Sequence, residues 1–195
     1  MKQANLLLKS ILFLLTCTTT LIADSSFEAF LKHPNKYFIE TGTGSGDGVQ
    51  RALKAGFEQI YSIELAPHLY DHSRQRFENE SNVVILFGNS TEVLPKILDY
   101  IDAPVTFWLD GHYSWHNTAR GDTNTPVLQE LEIIKQHPIK THTILIDDVR
   151  QFGTVEFDFI EVDDIIAKLL EINPKYQISF EAGLIANDIL VAEIP

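Results

Sequence analysis

The chain has 195 residues, 45% of them hydrophobic, and a formal net charge of −12. That is enough material for one domain with a real core. The acidity weighs against nucleic acid and anionic membranes as partners, because phosphate binding needs a basic patch that this chain has little material to build; solubility is its plainer cause.

Residues 1–23 differ from the rest. Lys2 and Lys9 precede a short apolar core, Ile11 to Leu15, and Leu21-Ile22-Ala23 precedes Asp24. The pattern resembles a secretory signal peptide cut after Ala23, with an apolar stretch too short and interrupted for a membrane span. Cys17, the only cysteine, lies inside it and follows Thr16, which makes a poor lipoprotein site. A cut after Ala23 leaves a chain without disulfides. Residues 24–195 then read as a single domain with no linker, repeat or low-complexity tract.

In chain order, Ser25 or Ser26 caps a short amphipathic helix carrying Phe27, Phe30 and Leu31, ended by His33-Pro34-Asn35 and expected over the mouth of the turn that follows. Tyr37 to Gly48 is the organising stretch. Its first half alternates like a buried strand; its second half places glycines at 42, 44, 46 and 48, which no strand or helix interior would choose. The chain leaves a sheet, turns tightly and enters a helix marked by Val49, Ala52 and Leu53. Backbone N–H groups and a helix N-terminus there form a cradle for a nucleotide-type ligand.

A second strand, Gln59 to Leu65, ends with Glu64 beside the cradle, where a carboxylate can accept from both hydroxyls of a ribose; an exposed loop glutamate is the plainer reading. A helix over His68 to Phe77 and a third strand, Val83 to Phe87, lead to Gly88-Asn89-Ser90. Asn89 suits either a ligand edge or an Asx-turn capping the next helix, Thr91 to Tyr100. The fourth strand, Val105 to Leu109, delivers Asp110-Gly111-His112-Tyr113. After it comes a long polar loop, Ser114 to Asn124, with Trp115, His116, Arg120 and Asp122, of a length that is usually functional. Thr125-Pro126 reads as an N-cap and first-turn proline ahead of Leu128, Leu131 and Ile134. The fifth strand, Thr143 to Ile146, ends in Asp147-Asp148. A helix follows with Val162, Ile165, Ile166 and Leu169, its Asp163 and Asp164 placed for the macrodipole. Strands at Gln177 to Phe180 and Ile189 to Ala192 close the chain. Strands alternating with helices predict a doubly wound α/β sheet.

The run Glu40-Thr41-Gly42-Thr43-Gly44-Ser45-Gly46 resembles motif I of the class I S-adenosylmethionine (SAM) dependent methyltransferases. That resemblance covers about Tyr37 to Glu193. It implies a Rossmann-like sheet of seven strands ordered 3-2-1-4-5-7-6 with strand 7 antiparallel. It also implies SAM contacts from Glu40, Thr41, Gly42, Gly44, Gly46, Glu64, Asn89, Ser90 and Asp110. In that family an aspartate is usual where Asn89 stands.

Asp110 with the Asp147-Asp148 pair further resembles the divalent-metal-dependent O-methyltransferases of catechol, caffeoyl-CoA and macrolide-sugar type, and implies a metal held by Asp110, Asp147 and Asp148. Three carboxylates at neighbouring strand ends repel unless a cation lies between them, and oxygen ligands suit Mg²⁺ first, then Mn²⁺ or Ca²⁺. Catechol-type enzymes carry a lysine base three residues after the first metal aspartate; here Tyr113 stands there. His112 is the substitute expected to act with Asp110 in catalysis, with a metal ligand or sugar contact as its other roles.

The resulting expectation is O-methylation of a small hydroxylated or sugar-like molecule. The rival readings are a non-catalytic binding or interaction protein of the envelope with this fold, and an NAD(P)-linked oxidoreductase, which needs the G-x-G-x-x-G run that is absent. The N-terminus suggests export or an envelope anchor, whereas SAM supply requires access to the cytoplasm.

Overall fold

The computed structural model describes residues 25–115 and 118–195; the signal-like segment with Cys17, and His116 in the polar loop, lie outside them. The elements are α1 (Ser25–Lys32), β1 (Tyr37–Thr41), α2 (Asp47–Ala55), β2 (Gln59–Glu64), α3 (Pro67–Arg76), β3 (Val83–Phe87), α4 (Ser90–Leu98), β4 (Val105–Leu109), α5 (Val127–Gln136), β5 (Thr143–Ile146), α6 (Val162–Ile172), β6 (Gln177–Glu181) and β7 (Ile189–Glu193). They build one seven-stranded sheet ordered β3-β2-β1-β4-β5-β7-β6. The first five strands run parallel, and β7 is antiparallel to both β5 and β6. No described helix is long and apolar enough to cross a membrane.

The central strands are apolar throughout because helices cover both faces of the sheet. Successive side chains leave a strand on opposite sides, and the core divides accordingly. Phe38, Trp108, Leu145 and Val191 pack in the layer under α1 and α2. Ile39, Phe107, Ile144 and Leu190 pack in the layer under α4, α5 and α6. Thr41 lies level with Ile63 and with Leu109, and Leu109 with Ile146. The carboxyl ends therefore finish along one rim, which is where ligands of open α/β sheets bind.

Three local expectations are corrected. No residue of α1 lines the cavity at the glycine turn; instead Phe30 lies 4.8 Å from the Phe38 ring and 5.1 Å from Trp108, because its apolar face gains more by covering the sheet than a polar turn. Helix α5 has Pro126 rather than Thr125 as its N-cap, and the Thr125 N–H, outside the helix, donates to Asp158. Helix α4 starts one residue early, at Ser90, with Asn89 as its N-cap.

The segment from 149 to 161 contains two short 3₁₀ turns, Val149–Gln151 and Val155–Phe157. It is closed on itself by the Gly153 N–H on the Ile160 carbonyl and the Phe159 N–H on the Thr154 carbonyl, both at 2.8 Å.

Candidate active site

At the carboxyl rim the Gly42–Gly46 turn is pinned by the Gly42 and Thr43 N–H groups, which both donate to the Ile63 carbonyl at 3.0 and 3.2 Å. Only glycine fits at 42: its φ is +84°, and an added Cβ would come within 2.5 Å of the Asp110 carbonyl oxygen. Gly44 has nothing within 4 Å of that position. It faces the open space of a cavity of about 290 Å³, lined among others by Glu64, Leu69, Asn89, Asp110, His112 and Asn124. That volume lies at the lower end of the range for small-molecule sites.

Glu64 is seated at the cavity as the ribose expectation requires. One of its oxygens accepts from the Gly44 N–H at 2.8 Å and the other from the Ala66 N–H at 2.7 Å. The backbone fixes the carboxylate, and each oxygen keeps a lone pair for a ligand hydroxyl. Asn89 does two jobs. Its Oδ1 caps α4 by accepting from Thr91 N and Oγ1, while its Nδ2 lies toward Gly121 on the opposite wall. Gly42, Ser90 and Asp110 also line the cavity.

Glu40, Thr41 and Gly46 do not line it. Glu40 is 2% exposed, accepts from Ser62 Oγ at 2.5 Å, and has its pKa pushed up to about 8, chiefly by burial. Thr41 is fully buried and donates to Glu130 at 3.4 Å. Gly46 packs against Phe77 and Ser73 of the α3 region.

The three aspartates do not form one set. Carboxylate oxygens of Asp110 and Asp148 gather with a ring nitrogen of His112 within 4.8 Å of one another, whereas Asp147 groups with Asp148 and Asp188. An extended chain sends neighbouring side chains apart, and it is the left-handed backbone at Asp148, φ 59°, that turns its carboxylate to His112. The Asp147 carboxylate instead accepts the Asp148 N–H at 2.8 Å and lines a small pocket beneath the rim with Glu130 and Phe157.

His112 stands between Asp110, 3.4 Å from Nδ1, and Asp148, 3.3 Å from Nε2. Burial alone would lower its pKa, but Asp110, with Asp148 and Asp147, outweighs burial and leaves it raised. Asp147 is held above the carboxylate range by burial and then by Asp110 and Asp148. Asp148 is pushed up by burial and by Asp110, against His112 and Arg150. Direct contact with the permanently charged Arg150 guanidinium at 2.6 Å opposes that rise by favouring the ionised form.

Sequence reasoning missed four residues. Phe157 packs against the His112 ring in a tilted arrangement with centroids 5.0 Å apart, and Asp188 is buried against Arg150. Asp158 binds the backbone of Asn124 and Thr125. Glu130 is 1% exposed, with Oε1 lacking a hydrogen-bond partner among the described residues and its pKa raised to about 7, first by burial. Only Glu130 left a signal, since it shares the buried face of α5 with Val127, Leu131 and Ile134.

No family model and no curated protein matches the sequence. Solved structures do. An O-methyltransferase from Bacillus cereus in complex with S-adenosylhomocysteine (SAH) superposes with a TM-score of 0.65 at 12% identity, over 98% of this chain and 90% of that one. The SAH-bound methyltransferase PaMTH1 of Podospora anserina gives 0.63 at 13%, over 87% and 76%. The fold is the one these methyltransferases share. The O-methyltransferase TomG of Streptomyces achromogenes, solved with SAM, agrees at a TM-score of 0.57 and 13% identity, over 87% and 78%. The seventh, antiparallel strand of this chain completes the sheet order that the methyltransferase resemblance implied.

Proposed function

We propose that the chain is a SAM-dependent methyltransferase that methylates a hydroxyl of a small, hydroxylated or sugar-like acceptor. The observation that carries this reading is the charge of the cavity. Glu64, Asp110 and Asp122 line it, and among the described residues no lysine or arginine does. Such a wall suits a ligand bearing a sulfonium and an ammonium group and repels the pyrophosphate of a dinucleotide, which seeks helix dipoles and basic groups. Glu64 is pre-set for the ribose hydroxyls, and Gly44 leaves the room their close approach needs.

The donor set at the rim fits a hard divalent cation: Asp110 and Asp148 supply carboxylate oxygens, with the His112 ring lying between them. A cation bound there would polarise an acceptor hydroxyl and lower its pKa. His112 is braced by Phe157 on its ring face and by Ser114 Oγ at 2.7 Å from Nε2. Its raised pKa makes it a poor base while Asp110 and Asp148 bear uncompensated charge. Once that charge is balanced, the imidazole returns toward neutrality and can take the hydroxyl proton.

Calorimetry with SAH and NAD tests the reading. SAH should bind and NAD should not; the reverse sinks it. Glu64→Ala should weaken SAH about ten- to hundredfold, roughly 1.5 to 3 kcal/mol for two hydroxyls losing a charged acceptor. An alanine variant that binds like the parent makes Glu64 a strut of the glycine turn and nothing more.

A further inference from the structure

The wall of the cavity formed by residues 121–126 has no regular structure to hold it, yet Gly121, Asp122, Thr123, Asn124 and Pro126 all line the space. What holds it is one carboxylate from another part of the chain. Asp158 Oδ2 accepts the Asn124 N–H at 2.7 Å and the Thr125 N–H at 3.2 Å. The Asn124 side chain returns the contact by donating to the Val155 carbonyl at 2.8 Å. The Asn124 carbonyl in turn accepts the Tyr113 N–H at 2.7 Å, tying in the strand end that carries Asp110 and His112.

The platform under this clasp is unusually specified. Asp158 and Phe159 are consecutive non-glycine residues at φ 52° and 57°, a conformation that L residues adopt only where the surroundings over-determine it. The two hydrogen bonds that close residues 153–160 on themselves supply that constraint. Phe157, next to Asp158, is the residue that packs on His112. One self-closed segment thus braces the imidazole with one residue and the cavity wall with the next.

We infer that Asp158 is a positioning residue for ligand binding: it pre-orders the wall at 121–126, and through that wall sets affinity without touching the ligand. Asp158 is exposed and its two donors can turn to water when it is removed, so the fold loses little. Binding loses more, because an untethered wall must be ordered by the ligand itself. The choice of SAH as probe rests on the proposed function.

Three variants separate the components. Asp158→Gly keeps the left-handed backbone and removes the acceptor; Asp158→Asn keeps both, since asparagine tolerates that backbone and Oδ1 can accept both bonds; Asp158→Ala removes both. The Gly and Ala variants should bind SAH about tenfold more weakly than the parent, with the Asn variant within about twofold. Melting temperatures of the Gly and Asn variants should stay within a few degrees of the parent. A Gly variant that binds SAH like the parent overturns the proposal, as does an Asn variant as weak as Gly, which would make charge rather than tethering the cause. Should the parent itself not bind SAH, the proposed function falls, and amide exchange decides the clasp on its own. Faster exchange at Asn124 and Thr125 in Gly but not in Asn upholds it, and unchanged exchange in Gly overturns it.

Discussion

Asp110→Asn and Asp148→Asn are each expected to remove divalent-ion binding; SAH binding should survive in Asp148→Asn, which lies outside the cavity lining, and weaken in Asp110→Asn, which belongs to its acidic wall. In the parent, Mn²⁺ at a hundred times its dissociation constant adds about 2.7 kcal/mol to stability by linkage. For a domain of this size that is roughly 5 to 10 °C in melting temperature. The shift should vanish in both variants, and methyl transfer should fall on the order of a thousandfold, about 4 kcal/mol, in any acceptor assay the parent supports. Asp147→Asn should keep most of the shift. Its carboxylate is grouped with Asp148 and Asp188 rather than with Asp110, and its raised pKa already favours the uncharged form. Metal binding should tighten as pH rises through neutrality, since the protonated His112 that Asp110 and Asp148 hold between them repels a cation until it loses its proton. A chelator-insensitive parent, or an Asp110→Asn variant with an undiminished Mn²⁺ shift, would end the metal reading and leave a metal-independent site.

The strands were legible because each is bounded by turn chemistry and carries either alternation or a full apolar run, whereas their order followed from the methyltransferase resemblance. Phe38 and Ile39 face opposite layers as that alternation requires. The rim was legible for the same reason, since strand ends such as Glu64 and Asp110 follow from where the apolar runs stop. What did not follow was the fate of side chains just past those ends. Asp147 and Asp148 are adjacent in sequence and share a grouping with Asp188, but only Asp148, with its left-handed backbone, also joins Asp110 and His112. Glu40 carries the motif position of a ligand contact, yet Ser62 on the neighbouring strand and Gly48 on α2 enclose it. The segment 149–161 has neither helical nor strand period, and its hold on Asn124 and Thr125 depends on contacts far apart in the chain, so no local pattern announced it.

That enclosure of Glu40 makes alkaline pH the protein's weak side. The carboxyl is buried, an added Cβ on Gly48 would fall on its oxygen, and no space for solvent remains between them. Burial raises its pKa from 4.5 to about 8, with Asp110 and Glu64 adding to the shift and Ser62 and Arg51 opposing it. The unfolded chain releases this proton near 4.5 and the folded chain only near 8, so the folded state binds more protons between those values. The contribution of this group to stability is therefore full below about pH 4.5 and is lost progressively as pH rises toward 8. The shift corresponds to roughly 3 to 5 kcal/mol for a group this buried. Glu130, raised to about 7 mainly by burial, steepens the same slope. Glu40→Gln keeps the shape and the acceptor for Ser62 while removing the titration. Its urea midpoint should nearly match the parent's at about pH 4 and exceed it clearly at about pH 8.5. If the two proteins lose stability in parallel across that range, Glu40 is not the group that titrates, and the slope belongs to Glu130 and the carboxylates of the rim.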